Sequence, residues 1–374
     1  MTTATKGRFS ADGLPVLIGS VPLTDHKEAL DWIFSTTPEI PLWPQLPHNP
    51  LERMMPQFAE GIPCIIEENI CDPEGRILFD ITHAGFEEEM LAFYEEYLVA
   101  MEDPAVLASS RFQVSRERAT GLYLFLESLA EHADKLKAVK GQVTGPFTML
   151  TGIKDREGRA GYFDDTIRDM VIKGISMKAA WQTRMLADRL DEPVGDATKP
   201  VLMFIDEPAL AGLGSSAFIG VTDEEIRTMI DEVAEAVHGA GGLVGIHVCA
   251  NTNWSVLLGS TIDIISFDAF GFFDKMAALK PEVGNFFSRG GILAWGGVPT
   301  SREEEINAQS TDSLSELFVR QMQSFVTPDM DMKSLLRQTL ITPSCGTGSL
   351  PLQAAEKVLS LTRSTADSLR AQYL

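Results

Sequence analysis

Short apolar runs that alternate with helical patterns are the feature of this sequence that most restricts its fold. The runs are rich in β-branched residues, and most of them stop at or beside Gly, Ser, Asp or Pro. The eight runs span residues 14–20, 39–45, 138–145, 200–206, 243–248, 262–268, 291–297 and 338–344. Nearly continuous hydrophobicity is typical of strands that are buried on both faces of a parallel sheet. The sequence therefore predicts an α/β fold.

The arrangement of the runs narrows this class further. Eight buried strands that alternate with helices predict a (β/α)8 TIM barrel, in which right-handed crossovers place the helices outside. The interval between the second and third runs is unusually long, and it holds two alternating segments around the turn sequence DPEG at 72–75. We therefore predict a single barrel over residues 1–374, with a β-hairpin at 62–82 and helices inserted between strands 2 and 3.

The charge balance excludes whole classes of partner. The chain has 31 Lys and Arg against 53 Asp and Glu, a net charge of -22. Such a surface repels phosphate backbones and anionic lipids, so we predict no nucleic-acid partner and no membrane association. No apolar run is long enough to span a bilayer, and the first residues lack the order of a signal peptide. Four cysteines are too few for a disulfide framework, which favours a cytoplasmic protein.

Reactive side chains gather where the apolar runs stop, which is where a TIM barrel carries its active site. His247 and Cys249 are two residues apart at the end of the fifth run, so their side chains point to the same side of the strand. Asp268 ends the sixth run, and Cys345 follows the eighth. Two thiolates, an imidazole and a carboxylate form a tetrahedral set that suits zinc. We therefore predict a zinc site made by these four residues.

Each of these residues also has a purely structural explanation. Free cysteine is among the most buried residue types, and Asp268 can cap the next helix. Cys64 and Cys71 lie in the predicted hairpin, so we interpret them as structural. If zinc is bound, two thiolate ligands make it a poor activator of water and a good carrier for another thiol. That chemistry favours alkyl transfer to sulfur.

Six motifs together resemble the cobalamin-independent methionine synthases. They are IGS at 18–20, LERMMPQF at 51–58, TGPFTML at 144–150, IDEPAL at 205–210, HVC at 247–249 and PSCG at 343–346. The resemblance extends over nearly the whole chain and is to the catalytic C-terminal barrel of that family. It includes the short core synthases, which consist of that barrel alone.

The resemblance implies a site and a substrate. It implies zinc bound by His247, Cys249 and Cys345, with Asp268 at the position of an acidic ligand that is usually Glu. The implied reaction transfers a methyl group to the thiol of homocysteine and makes methionine. The residues implied to bind homocysteine are Ile18, Gly19, Ser20, Glu52 and Asp206.

Departures from the family pattern bear on the methyl donor. Gly152 stands where the folate-using enzymes carry a Trp that stacks on the pterin, and Ala294 stands near the place of a His proposed to deliver a proton to folate. The additional N-terminal barrel that helps to hold the folate polyglutamate is also not found. We therefore expect methylcobalamin, or a methylated corrinoid protein, as the donor.

Several other functions remain open. A related enzyme that methylates another thiol, such as coenzyme M, also uses a zinc HxC motif, but Glu52 and Asp206 favour a substrate with an ammonium group, which coenzyme M lacks. A methyltetrahydrofolate-dependent enzyme is a second alternative. A uroporphyrinogen decarboxylase uses no zinc and binds its acidic substrate with basic residues, so the acidic barrel mouth argues against it. A non-enzymatic zinc-binding or corrinoid-binding adaptor is the last, because a fold alone implies no activity.

Overall fold

A parallel sheet of six strands forms the centre of the protein. The computed structural model describes residues 9–72, 75–190, 199–214 and 218–374. The strands of the sheet follow one another in chain order, and each pairs in parallel with the next. They are β3 (Val139–Thr144), β4 (Val201–Asp206), β5 (Leu243–Val248), β6 (Ile264–Phe267), β7 (Ile292–Val298) and β8 (Thr339–Pro343).

Helices fill the intervals between the strands, as the alternating pattern predicts. In the described residues they are α1 (His26–Thr36), α2 (Met54–Ala59), α3 (Phe86–Glu102), α4 (Thr120–Ser128), α5 (Pro146–Gly152), α6 (Asp165–Leu190), α7 (Asp223–Gly239), α8 (Trp254–Leu258), α9 (Ala269–Ala277), α10 (Lys280–Ser288), α11 (Glu303–Ala308), α12 (Thr311–Met322), α13 (Met332–Arg337) and α14 (Leu352–Tyr373). α7 shows why such segments are helical. A capping box between Thr222 and Glu225 begins it, and Ile226, Ile230 and Val233 form its buried face.

The sheet is buried on both faces, as the continuous apolar runs predict. On β4, Leu202 and Phe204 belong to one apolar cluster, whereas Val201, Met203 and Ile205 belong to another. Successive side chains of a strand point to opposite faces, so the two clusters lie on opposite sides of the sheet. The first cluster also collects Leu14, Val16 and Ile40 from the first two predicted strands, so it is the interior core that the curled sheet surrounds.

The prediction of eight regular strands is corrected by the structure. In the described residues, the runs 14–20 and 39–45 form only isolated parallel bridges, which pair Pro15 with Ile341, Ser20 with Gln45 and Leu42 with Lys140. Both runs contain proline, which has no N–H to donate to a ladder of hydrogen bonds. The architecture is therefore a curled six-stranded parallel sheet whose two edge strands, β3 and β8, are linked by bridges through these two segments.

A separate hairpin lies between the second of these segments and β3. β1 (Ile65–Glu68) pairs in antiparallel fashion with β2 (Arg76–Phe79), inside the predicted range 62–82. The middle of the DPEG turn, residues 73 and 74, lies outside the described residues. The helices α3 and α4 follow the hairpin before β3 begins. The extent of the domain, residues 1–374, stays a prediction.

No helix in the described part of the chain is both long and apolar enough to cross a membrane.

Candidate metal and thiol site

The structure brings together three of the four predicted metal ligands. His247 lies near the end of β5, Cys249 follows that strand, and Cys345 follows β8. One ligand atom from each of the three lies within 4.8 Å of those of the other two. Parallel strands end at one edge of the sheet, which explains why residues almost 100 positions apart in the sequence meet there.

The imidazole of His247 is buried and is oriented by its neighbour in the sheet. Its Nδ1 lies 2.9 Å from the hydroxyl oxygen of Ser266, its register partner on β6. Its Nε2 is buried and has no hydrogen-bond partner. Burial, with a smaller contribution from the charge of Lys140, lowers the pKa of His247 to about 3. The ring is therefore neutral. In the tautomer whose Nδ1–H donates to the hydroxyl oxygen of Ser266, Nε2 carries the lone pair that a metal ligand requires.

The two thiols contact each other. A hydrogen bond from Cys345 lowers the pKa of Cys249 to about 7. The same hydrogen bond, together with burial, raises the pKa of Cys345. Ionisation of one thiol thus opposes ionisation of the other, and a bound divalent cation is the ordinary way to deprotonate such a pair.

Asp206 lies beside this group. It ends β4 and is the register partner of His247 on β5. Its Oδ1 is buried without a hydrogen-bond partner. Burial raises the pKa of Asp206 to about 6, and the charge of Lys140 partly offsets that rise. A buried acceptor without a donor is costly, so this oxygen is a candidate ligand for a positively charged group of a substrate.

Asp268, the fourth predicted ligand, lies outside the group of ligand atoms that the described residues form. It is instead the N-cap of α9, and its Oδ1 accepts a hydrogen bond of 2.8 Å from the backbone N–H of Gly271. The short aspartate side chain reaches the first turn of its own helix, which is the ordinary structural role of an N-cap aspartate. A role for Asp268 as a fourth ligand stays a prediction.

Glu52 is buried among residues of its own part of the chain. Its Oε2 accepts a hydrogen bond of 2.9 Å from the backbone N–H of Leu46. Its Oε1 lies 2.7 Å from Nε2 of His26 and accepts a bond of 3.2 Å from Asn49. Both oxygens are thus engaged in holding this segment together. A role for Glu52 in binding substrate stays a prediction.

The segment Ile18–Ser20 lies against the loop that carries Cys345. The backbone oxygen of Ser20 accepts a bond of 3.0 Å from the N–H of Thr347, and its hydroxyl oxygen accepts one of 3.3 Å from Gly348. A Cβ at Gly346 would lie 2.2 Å from the hydroxyl oxygen of Ser20, so any other residue there would require this hydroxyl to rotate away. Ile18, Gly19 and Ser20 also line one small cavity with Cys345.

Two residues at the site, Ser266 and Lys140, were not predicted from the sequence. Lys140 lies on β3 and is almost fully buried, and its Nζ donates to the carbonyl of Ile18. Burial lowers the pKa of Lys140 to about 8. A lysine inside an apolar run is a signal that could have found it, because Lys140, Gln142 and Thr144 share one face of the strand.

Comparisons with known proteins add the following. No family model matches the chain, and no curated protein sequence matches it. A solved structure described as a B12-independent methionine synthase from Shewanella sp. W3-18-1, in complex with selenomethionine, is similar with 16% identity and a TM-score of 0.42, over 66% of this chain and 67% of that chain. A putative vitamin-B12 independent methionine synthase from Listeria monocytogenes is similar with 14% identity and a TM-score of 0.42, over 66% of this chain and 69% of that chain. These values assign no family.

Proposed function

We propose that this chain is a zinc-dependent methyltransferase that transfers a methyl group to the thiol of homocysteine and makes methionine. The observation that carries the proposal is the neutral, buried imidazole of His247, whose free Nε2 shares one small space with the thiols of Cys249 and Cys345.

We also propose a cytoplasmic location, because the cysteines of the chain are all free.

The donor set fits zinc. Sulfur and nitrogen ligands suit its borderline-soft character, and three protein ligands leave one position of a tetrahedral ion for a substrate. His247, Cys249 and Cys345 would hold the ion. Bound zinc would supply a thiolate at neutral pH, because it lowers the pKa of a thiol that binds to it.

The neighbouring residues fit the amino-acid end of homocysteine. The free Oδ1 of Asp206 and the carbonyl of Ile18 are acceptors for an ammonium group. The hydroxyl of Ser20 accepts from Gly348, so its proton is available to a carboxylate. These groups support an amino-acid thiol over coenzyme M, which has no ammonium. They give no support to a decarboxylase of acidic porphyrinogens, which would need a basic site.

The transfer itself needs little acid–base chemistry from the protein. The substrate thiol loses its proton to solvent, its sulfur attacks the methyl carbon, and a C–S bond forms while the bond from methyl to donor breaks. The electron pair of that bond leaves with the donor. Cobalamin departs as cob(I)alamin without a proton, whereas folate as the leaving group requires one.

We propose methylcobalamin or a methylated corrinoid protein as the donor, with methyltetrahydrofolate as the alternative. Two positions support this choice. Ala294 belongs to the interior apolar cluster and offers no proton. A Cβ at Gly152 would lie 2.1 Å from Sδ of Met55, so an aromatic ring at that position would require Met55 to move.

The test is an assay of methionine formation by the zinc-loaded protein with L-homocysteine. Methylcobalamin and methyltetrahydrofolate are supplied in separate reactions, with the metal-free protein as the control. We expect methionine from methylcobalamin and only with metal. Equal or faster turnover with methyltetrahydrofolate would overturn the donor assignment. No methionine from either donor, nor from a methylated corrinoid protein supplied in a third reaction, would overturn the proposed function.

A further inference from the structure

Lys140 is a buried cation at the base of the site. Only 1% of its surface is exposed, and its Nζ lies 4.7 Å from the centre of the Phe204 ring. Phe204 belongs to the interior apolar cluster, so the ammonium lies at the boundary between that cluster and the polar residues of the site at the C-terminal ends of the strands. Burial of a charge at such a place is unfavourable unless other groups compensate for it.

The groups that compensate for the buried charge of Lys140 include the two that the proposed function assigns to binding the substrate ammonium, the Ile18 carbonyl and Asp206. Nζ donates to the carbonyl of Ile18, and it lies 3.4 Å from Oε1 of Gln142. Asp206 lies two residues beyond Phe204 on β4, so both side chains share the face of the strand that Lys140 contacts. The charge of Lys140 lowers the pKa of Asp206 and so opposes the effect of burial, and Oδ1 of that carboxylate has no hydrogen-bond partner. One side chain thus holds the Ile18 carbonyl in place and balances the charge of Asp206, which come from different segments of the chain.

We propose that Lys140 is a positioning residue for the ammonium-binding part of the thiol site. It fixes the Ile18 carbonyl and stabilises the Asp206 carboxylate, and both then accept hydrogen bonds from the substrate ammonium. This inference rests on the proposed function and deepens it, because it assigns recognition of the α-amino group to an arrangement that depends on Lys140. Lys140 itself does not contact the substrate.

The test uses a comparison that a loss of stability alone would not change. 4-Mercaptobutanoate is homocysteine without its amino group, and 3-aminopropane-1-thiol is homocysteine without its carboxylate. Calorimetric dissociation constants for all three thiols are measured on zinc-loaded wild type and Lys140→Met. The ratio between two ligands does not depend on the fraction of active protein.

Lys178→Met is the matched control. Lys178 is also 1% exposed, and its Nζ donates to one backbone carbonyl, that of Gln113, at 3.0 Å. It lies on α6, outside the sheet. Both variants therefore remove a buried lysine and leave one carbonyl without its donor, but only one of them changes the site.

We expect wild type to prefer homocysteine over 4-mercaptobutanoate and Lys140→Met to lose about tenfold of that preference, while Lys178→Met keeps it. The preference over 3-aminopropane-1-thiol should persist in both variants. An unchanged preference for the amino group in Lys140→Met would overturn the inference. Loss of the preference for the carboxylate instead would also overturn it, because Lys140 would then bind the substrate directly.

The double variant Lys140→Met/Asp206→Asn covers the case in which an unpaired Asp206 prevents folding of the single variant. Because Lys140 acts through both Asp206 and the Ile18 carbonyl, the double variant should prefer the amino group no more than Asp206→Asn alone does. Its loss should also be smaller than the losses of the two single variants combined. Additive losses would contradict the inference. A wild type that prefers homocysteine but forms no methionine from any of the three donors would contradict the proposed function and leave the ligand comparison valid.

Discussion

The hydroxyl of Ser266 lies 2.9 Å from Nδ1 of His247, and the two residues are register partners on neighbouring strands. This contact fixes which ring nitrogen is free, because it engages Nδ1 and leaves Nε2 without a partner. A partner of this kind orients a histidine before any metal binds.

Ser266→Ala should therefore weaken zinc binding by about tenfold, since partners of metal-bound histidines typically contribute that much. Competition with a chelator of known affinity measures the change. Ser176→Ala is the control, because the hydroxyl of Ser176 is also buried and donates to the carbonyl of Ile172 within α6. Equal zinc affinity in both variants would show that Ser266 does not orient the ring.

Cys249→Ser and Cys345→Ser should each reduce the zinc content per chain and abolish methionine formation. The reason is that the hydroxyl of serine binds zinc much more weakly than the thiolate of cysteine does. Elemental analysis of the purified proteins gives the metal content. Cys71→Ser is the control, because Cys71 is exposed and lies in the hairpin region. Full zinc occupancy in either site variant would remove that cysteine from the site.

Asp268→Asn should retain full zinc content, because asparagine caps a helix about as well as aspartate does and the group of His247, Cys249 and Cys345 forms without Asp268. Asp268→Ala should lower the free energy of unfolding by about 1 kcal/mol through loss of the cap. Asp331→Ala, at the N-cap of α13, should have a similar effect on stability. Loss of zinc from Asp268→Asn would instead show that the Asp268 carboxylate is a zinc ligand.

Lys178 should make stability depend on pH. Burial lowers its pKa from 10.5 to about 7 in the folded protein, so between these values the unfolded chain binds the additional proton. The free energy of unfolding then rises with pH, and the penalty of burial is fully present below pH 7.

Urea denaturation of wild type and Lys178→Met at neutral and alkaline pH measures this effect. We expect wild type to gain stability relative to the variant as the pH rises. Lys173→Met is the control on the same helix, because ion pairing raises the pKa of Lys173 and its charge does not change in this range. A constant difference between wild type and Lys178→Met would contradict the assignment.

The sequence predicted the parallel sheet because its strands are apolar on both faces, which is visible in the residues themselves. The prediction of regular strands in the first two runs was wrong, because pairing there depends on where Pro15 and Pro41 fall relative to the hydrogen bonds of β8 and β3. The hydrophobic pattern carries no information about that register, so it predicts regular strands in both runs.

The same distinction applies to the site. Cys249 and Cys345 were predictable because they follow parallel strands, whose ends must meet. Asp268 occupies an equivalent position, but its side chain reaches its own helix, and spacing alone does not give that direction. Lys140 contacts Ile18 across a separation of 122 residues, and only the folded arrangement shows it.

The close approach of Gly346 to Ser20 has a consequence for folding. The loop that carries Cys345 is held at Thr347 by Ser20, which lies 327 residues earlier in the chain. The sulfur of Cys345, the third ligand, therefore reaches the other two ligands only after these distant segments have packed together. Metal affinity would then report on completion of the fold: a partly folded chain offers His247 and Cys249 alone, and tight binding begins when the last strand is in place.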